Sequence, residues 1–114
     1  PQHWQDFSIG KPWAHVSLTV NTQKNLLGCE TYIWNPDNDN ERFHKLVNHK
    51  NEIEDEIGFT FDWQELEGKK SSRIIITREA DIKNRDDWNE YIKWCSDMVV
   101  KFHTVFSKHL KNMD

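Results

Sequence analysis

Between Trp13 and Asn21 apolar and polar residues alternate, with Ala14, Val16, Leu18 and Val20 on one side and Trp13, His15, Ser17 and Thr19 on the other. A period of two predicts a strand with one face on a core. A polar loop, "NTQKN", leads into a returning strand over Leu26 to Trp34, where Leu27, Cys29 and Ile33 oppose Glu30, Tyr32 and Trp34. Upstream, His3 to Ile9 reads as a short edge strand ending at the turn signal "GKP". The period then changes. Phe43, Leu46, Val47, Ile53 and Ile57 recur at helical spacing behind a cap at Asp39 or Asn40, and Gly58 stands where a helix C-terminal glycine belongs. "FTFDW" and "SSRIIITRE" predict two further antiparallel strands joined by a tight hairpin at "EGKK".

The last stretch carries the strongest pattern. Asp86 and Asp87 precede a run in which Trp88, Tyr91, Cys95, Met98, Phe102, Val105 and His109 step by three and four, widened by Ile92, Val99, Phe106 and Leu110. A helix of about 25 residues is about 37 Å long, longer than a small domain is wide, so part of it is expected to overhang. Either the stripe lies across the sheet and frays, or it seats against a second copy as a dimer seam made of Trp88, Tyr91, Cys95, Met98, Phe102 and Val105.

Composition bounds the class. The chain has 114 residues, six Trp, six Phe and 30% charged residues, which suits one folded domain over residues 1–114. No apolar run is long enough for a signal peptide or a membrane span, and the start at Pro1 without Met predicts a piece, C-terminal, of a longer protein. Cys29 and Cys95 sit inside apolar patterns and read as reduced buried thiols of a cytoplasmic protein. His44 and His49 are five apart, and His103 and His109 six apart, so neither pair shares a helical face. No metal site is expected on that ground, and no cofactor is expected.

Charge is unevenly spread. The net charge is −4, yet residues 35–67 carry ten acids against three bases, while Lys69, Lys70, Arg73, Arg78, Lys83 and Arg85 dominate residues 69–85. The basic strip can touch nucleic-acid phosphates through Lys69, Lys70, Arg73 and Arg78, or it can face acids of its own chain or of a partner.

One catalytic pattern is present. Pro36 and Asp37, followed by Glu67 and Lys69, match in order the PD-(D/E)xK signature in which Asp and Glu share a divalent ion and Lys steadies the attacking water. A whole helix separates Asp37 from Glu67, and Gly68 puts the second half in a turn, so convergence of the carboxylates is not implied by the spacing. His15 and Ser17 on one strand, with Glu30 and Tyr32 on its neighbour, form a polar and aromatic sheet face. That face reads either as a small-ligand or peptide site or as the wet side of an antiparallel sheet.

The succession "HVSLTVN", "LLGCETYIW", "NEIEDEIG", "FDWQEL", "KKSSRIIITR", Trp88 and "KFHTVF" resembles the prokaryotic family catalogued as domain of unknown function 4268. The resemblance covers nearly the whole chain. It implies an accessory module that often follows a restriction-endonuclease-like or RecB-like nuclease domain in one polypeptide, with no catalytic residues assigned within it. Where the family pattern suggests an apolar residue ahead of Glu30, this chain has Cys29.

The expected fold is α+β: an antiparallel sheet of about five strands in the order βββαββα, one face covered by two helices, the C-terminal one long. The expected function is a non-catalytic accessory domain for macromolecular recognition or self-association in a nuclease-associated, DNA-processing or defence setting. The alternatives are a metal-dependent nuclease using Asp37, Glu67 and Lys69, and a ligand or peptide sensor around His15, Glu30 and Tyr32. Expected partners are a second copy, a nuclease module in the same chain, and DNA.

Overall fold

The computed structural model describes residues 2–34, 41–66 and 71–111. Five strands and three α-helices follow one another as β1 (Gln2–Ser8), β2 (Ala14–Asn21), β3 (Leu26–Trp34), α1 (Glu41–Val47), α2 (Lys50–Ile57), β4 (Asp62–Leu66), β5 (Ser71–Glu79) and α3 (Trp88–Leu110), the last entered through a single 3-10 turn at Arg85–Asp87. The strands form one antiparallel sheet in the order β1-β2-β3-β5-β4. The α+β class and the succession of elements agree with the pattern of the sequence.

Local chemistry fixes several joints. In the β2–β3 hairpin the Asn21 Oδ1 accepts from the amides of Gln23 (3.1 Å) and Lys24 (3.0 Å), and Asn25 takes φ 54°, a left-handed conformation that Asn tolerates. Gly58 ends α2 at φ 95°, its amide donating to Glu54 O at 2.8 Å. The Glu54 carboxylate also accepts from the Phe61 amide (2.9 Å) and from Trp63 Nε1 (3.0 Å), which ties α2 to β4.

Two expectations are corrected. The helical stretch ahead of Gly58 is broken in two at Asn48 and His49. The His49 amide donates to Leu46 O at 2.9 Å, closing α1 with a tight turn, and its carbonyl accepts from the Ile53 amide at 2.9 Å, opening α2. Neither Asn nor His is a strong helix former, so the break costs little. The long helix also does not overhang: α3 has 23 residues, and Tyr91, Cys95, Met98, Phe102, Val105, Phe106 and Leu110 are all buried, down to its last residue.

One core holds the fold. On β2 and β3 the row facing the helices contains Ala14, Val16, Leu18, Leu27, Cys29 and Ile33. Ile74 of β5, Phe43 and Leu46 of α1, Ile53 and Ile57 of α2 and the α3 stripe pack against it. Phe61 meets Phe102 edge-on at 5.2 Å, and Phe102 meets Phe106 at 5.3 Å. Among the described residues, all three α-helices therefore cover the same side of the sheet.

Candidate ligand-binding face of the sheet

The cross-strand register determines which residues share the uncovered face. Opposite pairs there are Ser17 with Asp6, His15 with Tyr32, Ser17 with Glu30, Thr19 with Gly28, Tyr32 with Arg73, and Arg73 with Gln64. Burial is unusual for a side without helices: Glu30 is 1% exposed and Ser17 0%. A buried carboxylate is tolerated only where it is paired and hydrogen-bonded. Arg73 Nη1 lies 3.5 Å from Glu30 Oε2 and Arg73 Nε donates to Gln64 Oε1 at 2.7 Å. Gln64 Nε2 in turn donates to Asp62 Oδ2 at 2.6 Å. On the other flank Ser17 Oγ donates to Asp6 Oδ1 at 2.5 Å, and His15 stacks on Tyr32 with ring centres 5.1 Å apart. A polar chain thus crosses β3, β5 and β4 from Glu30 to Asp62.

Beside this chain lies a groove of about 220 Å³ lined by Thr19, Asn21, Lys24, Leu26, Gly28, Asp62, Gln64, Arg73, Ile75 and Thr77. Gly28 has a structural reason to be glycine. A Cβ there would run into Thr19 Oγ1 and come into ordinary contact with Ile75 and Thr77. The groove offers cationic donors at Lys24 and Arg73, a carboxylate acceptor at Asp62 and neutral hydroxyls on a rigid strand frame, an arrangement suited to a polar ligand.

The residues singled out from the sequence part company here. His15, Glu30 and Tyr32 come together with Ser17 as expected. Arg73 and Arg78 do not: Arg73 is on the open face, while Arg78, in the row that pairs with Leu27, turns to the helix side, where its guanidinium sits 5.2 Å over the Tyr91 ring and 3.4 Å from Glu90 Oε1. Asp37, Glu67, Lys69 and Lys70 lie outside the described residues. The strands that flank them, ending at Trp34 and Leu66 and beginning at Ser71, meet at one end of the sheet through the pairs Trp34 with Ser71 and Leu66 with Ser71. Of the six seam candidates, Tyr91, Cys95, Met98, Phe102 and Val105 are core residues of this chain and are used up there. Trp88 stays 41% exposed, donates its Nε1 proton to Ile82 O at 2.6 Å and, with Leu27, Ile82, Tyr91 and Ile92, walls an apolar pocket of about 280 Å³.

Sequence reading missed Gly28, Thr19, Gln64, Asp62 and Thr77 as groove residues. Gly28, isolated inside a strand pattern, was the one local signal of close approach. The partnership of Arg73 with Glu30 depends on β5 lying beside β3, which no local pattern reveals. Among titratable groups, burial pushes the thiols of Cys29 and Cys95 up, and hydrogen bonds from Lys108 and His109 hold the exposed Glu56 carboxyl below its usual range. Both cysteines are free. Among the described residues no helix is long and apolar enough to cross a membrane.

No curated protein and no solved structure matches the chain. The family model described as "Domain of unknown function (DUF4268)" matches residues 1–110. With all but its last four residues covered, the chain belongs to the family of domain of unknown function 4268.

Proposed function

We propose that this chain is a non-catalytic recognition module, working within a nuclease-associated, DNA-processing or defence protein, and that it holds a small polar ligand or a short peptide segment on the open face of its sheet. The observation that carries the reading is the polar chain that runs from the buried Glu30 through the half-buried Arg73 and Gln64 to the exposed Asp62, alongside the groove that Gly28 lines. Burying Ser17 and Glu30 on a side without helices costs stability unless the polar groups are held in place, and groups already held in place lose little on binding a ligand. The nuclease setting is what the family resemblance implies. A duplex-binding strip would need Arg73 and Arg78 on one surface; they face opposite sides, which favours a ligand on the sheet over a phosphate backbone.

Amide chemical shifts followed during titration with amino acids, nucleotides, short peptides and a short duplex test this. A ligand of the proposed kind moves the signals of Thr19, Gly28, Gln64 and Thr77, and Arg73→Ala weakens it. Duplex binding that leaves those signals still and falls steeply with salt would replace the reading with nucleic-acid contact.

A second reading, self-association, is favoured by Trp88 and Ile92, 41% and 54% exposed on one side of α3 beside the apolar pocket. It predicts a doubled mass in light scattering that Ile92→Asp returns to a single chain. A single-chain mass for the unaltered protein would end it.

A further inference from the structure

The break between α1 and α2 and the end of α3 bring two side chains of metal-ligating type that are near neighbours in sequence, His49 and Glu52, to a third from far along the chain, His109. His49 precedes α2 and is pinned on both sides by its backbone hydrogen bonds to Leu46 and Ile53. Glu52 follows on the first turn of α2, its Oε2 3.3 Å from His49 Nδ1. His109 stands on the last turn of α3, its side chain only 10% exposed, with its ring 5.5 Å from that of His49. One ligand atom from each of the three lies within 4.8 Å of the others.

We infer that His49, Glu52 and His109 form a binding site for a divalent cation of the zinc class. Two imidazoles and one carboxylate are the donor set of zinc, cobalt, nickel and copper and are a poor set for magnesium or calcium, which take oxygen ligands. Ligand bonds of about 2.0–2.1 Å in a tetrahedral site put donor atoms about 3.3 Å apart. His49 and Glu52 are exposed, so side-chain torsion closes the gap from 4.8 Å without moving the helices, exchanging their mutual hydrogen bond for bonds to the ion.

The surroundings match what a ligating histidine requires. His109 Nε2 lies 3.2 Å from Glu56 Oε1, and Lys108 Nζ holds the other oxygen of the same carboxylate. A carboxylate that accepts one ring proton of a histidine fixes the ring and leaves the second nitrogen basic. With Nε2–H given to Glu56, Nδ1 of His109 is the nitrogen left for the ion. Ordinary surface ion pairs explain each His–Glu contact separately. They do not explain why two rings, one in the turn before α2 and one on α3, meet at 43° between two carboxylates. The ion would tie the start of α2 to the end of α3, and three protein ligands leave a position on the exposed side for water or a donor from a partner.

Titration of tag-free protein with Zn²⁺ by calorimetry, and with Co²⁺ by visible absorption, tests the site. The expected result is one ion per chain and tetrahedral Co²⁺ bands, both lost in His49→Ala and His109→Ala, with Glu56→Gln binding about 10–100-fold more weakly. Circular dichroism checks each fold. Should His109→Ala fail to fold, the exposed His49→Ala decides alone. Absence of stoichiometric binding in the unaltered protein, or binding that survives His49→Ala undiminished, overturns the assignment.

Discussion

On the helix-covered side of β2 and β3 the cross-strand pairs are Ala14 with Ile33, Leu18 with Cys29 and Val20 with Leu27; on the other side they are His15 with Tyr32, Ser17 with Glu30 and Thr19 with Gly28. Both sides bury side chains, but for different reasons. The first is removed from water by α1, α2 and α3, and its stability comes from apolar area, which depends little on direction. The second holds the buried Ser17 and Glu30 among polar partners such as Asp6 and Arg73, and its stability depends on donors meeting acceptors at the right angle. The covered side builds the domain, and the open side presents a hydrogen-bonding surface.

The largest effect is expected in the core. Phe102, fully buried between Phe61 and Phe106, should cost about 3–5 kcal/mol as Phe102→Ala in denaturant unfolding. Phe102→Asp should leave no folded protein at all. A folded, monomeric Phe102→Asp would mean that the stripe is a seam between copies and not a core.

Next in size is the open face. Arg73→Ala removes one partner of a buried carboxylate and should cost about 2 kcal/mol, while Glu30→Gln, which keeps the shape, costs less. Equal stability of Arg73→Ala and the unaltered protein would show that the polar chain is decoration on an ordinary wet sheet.

The third test uses pH. Burial raises the Cys29 thiol above its ordinary value of 9.0, so the folded chain keeps a proton that the unfolded chain gives up. The stability linked to it is fully present below about pH 9 and falls above it by about 1.4 kcal/mol per pH unit. Midpoints of denaturant unfolding measured at pH 8 and pH 10 should therefore converge in Cys29→Ala relative to the unaltered chain. If the two slopes are the same, the thiol is not the group responsible.

The smallest effect sharpens the contrast from the other side. Among the described residues, Thr31 Oγ1 and Ser72 Oγ are buried in the helix-facing rows without a hydrogen-bond partner. Thr31→Val should stabilise the fold by about 1 kcal/mol, because it removes an unpaired hydroxyl from an apolar row. A loss of stability would mean that the hydroxyl has a partner and that the covered side is not purely apolar in its logic.

Much of this fold was legible in the chain itself. Alternation over β2, β3 and β5 and the three-and-four stepping of α3 gave element type, order and the inward face, because a strand with one dry side and a helix with one dry stripe can be built only from those periods. Glu30, Tyr32 and His15 were assigned to one face by the same parity. What remained closed to sequence reading were relations between elements. That β5 lies beside β3, so that Arg73 meets Glu30, that Arg78 turns to the opposite side, and that His49 finds His109 across the ends of two helices are consequences of how the helices settle on the sheet. Local periods determine which way a side chain points within its own element; only the packing of whole elements against a shared core decides which residue stands opposite.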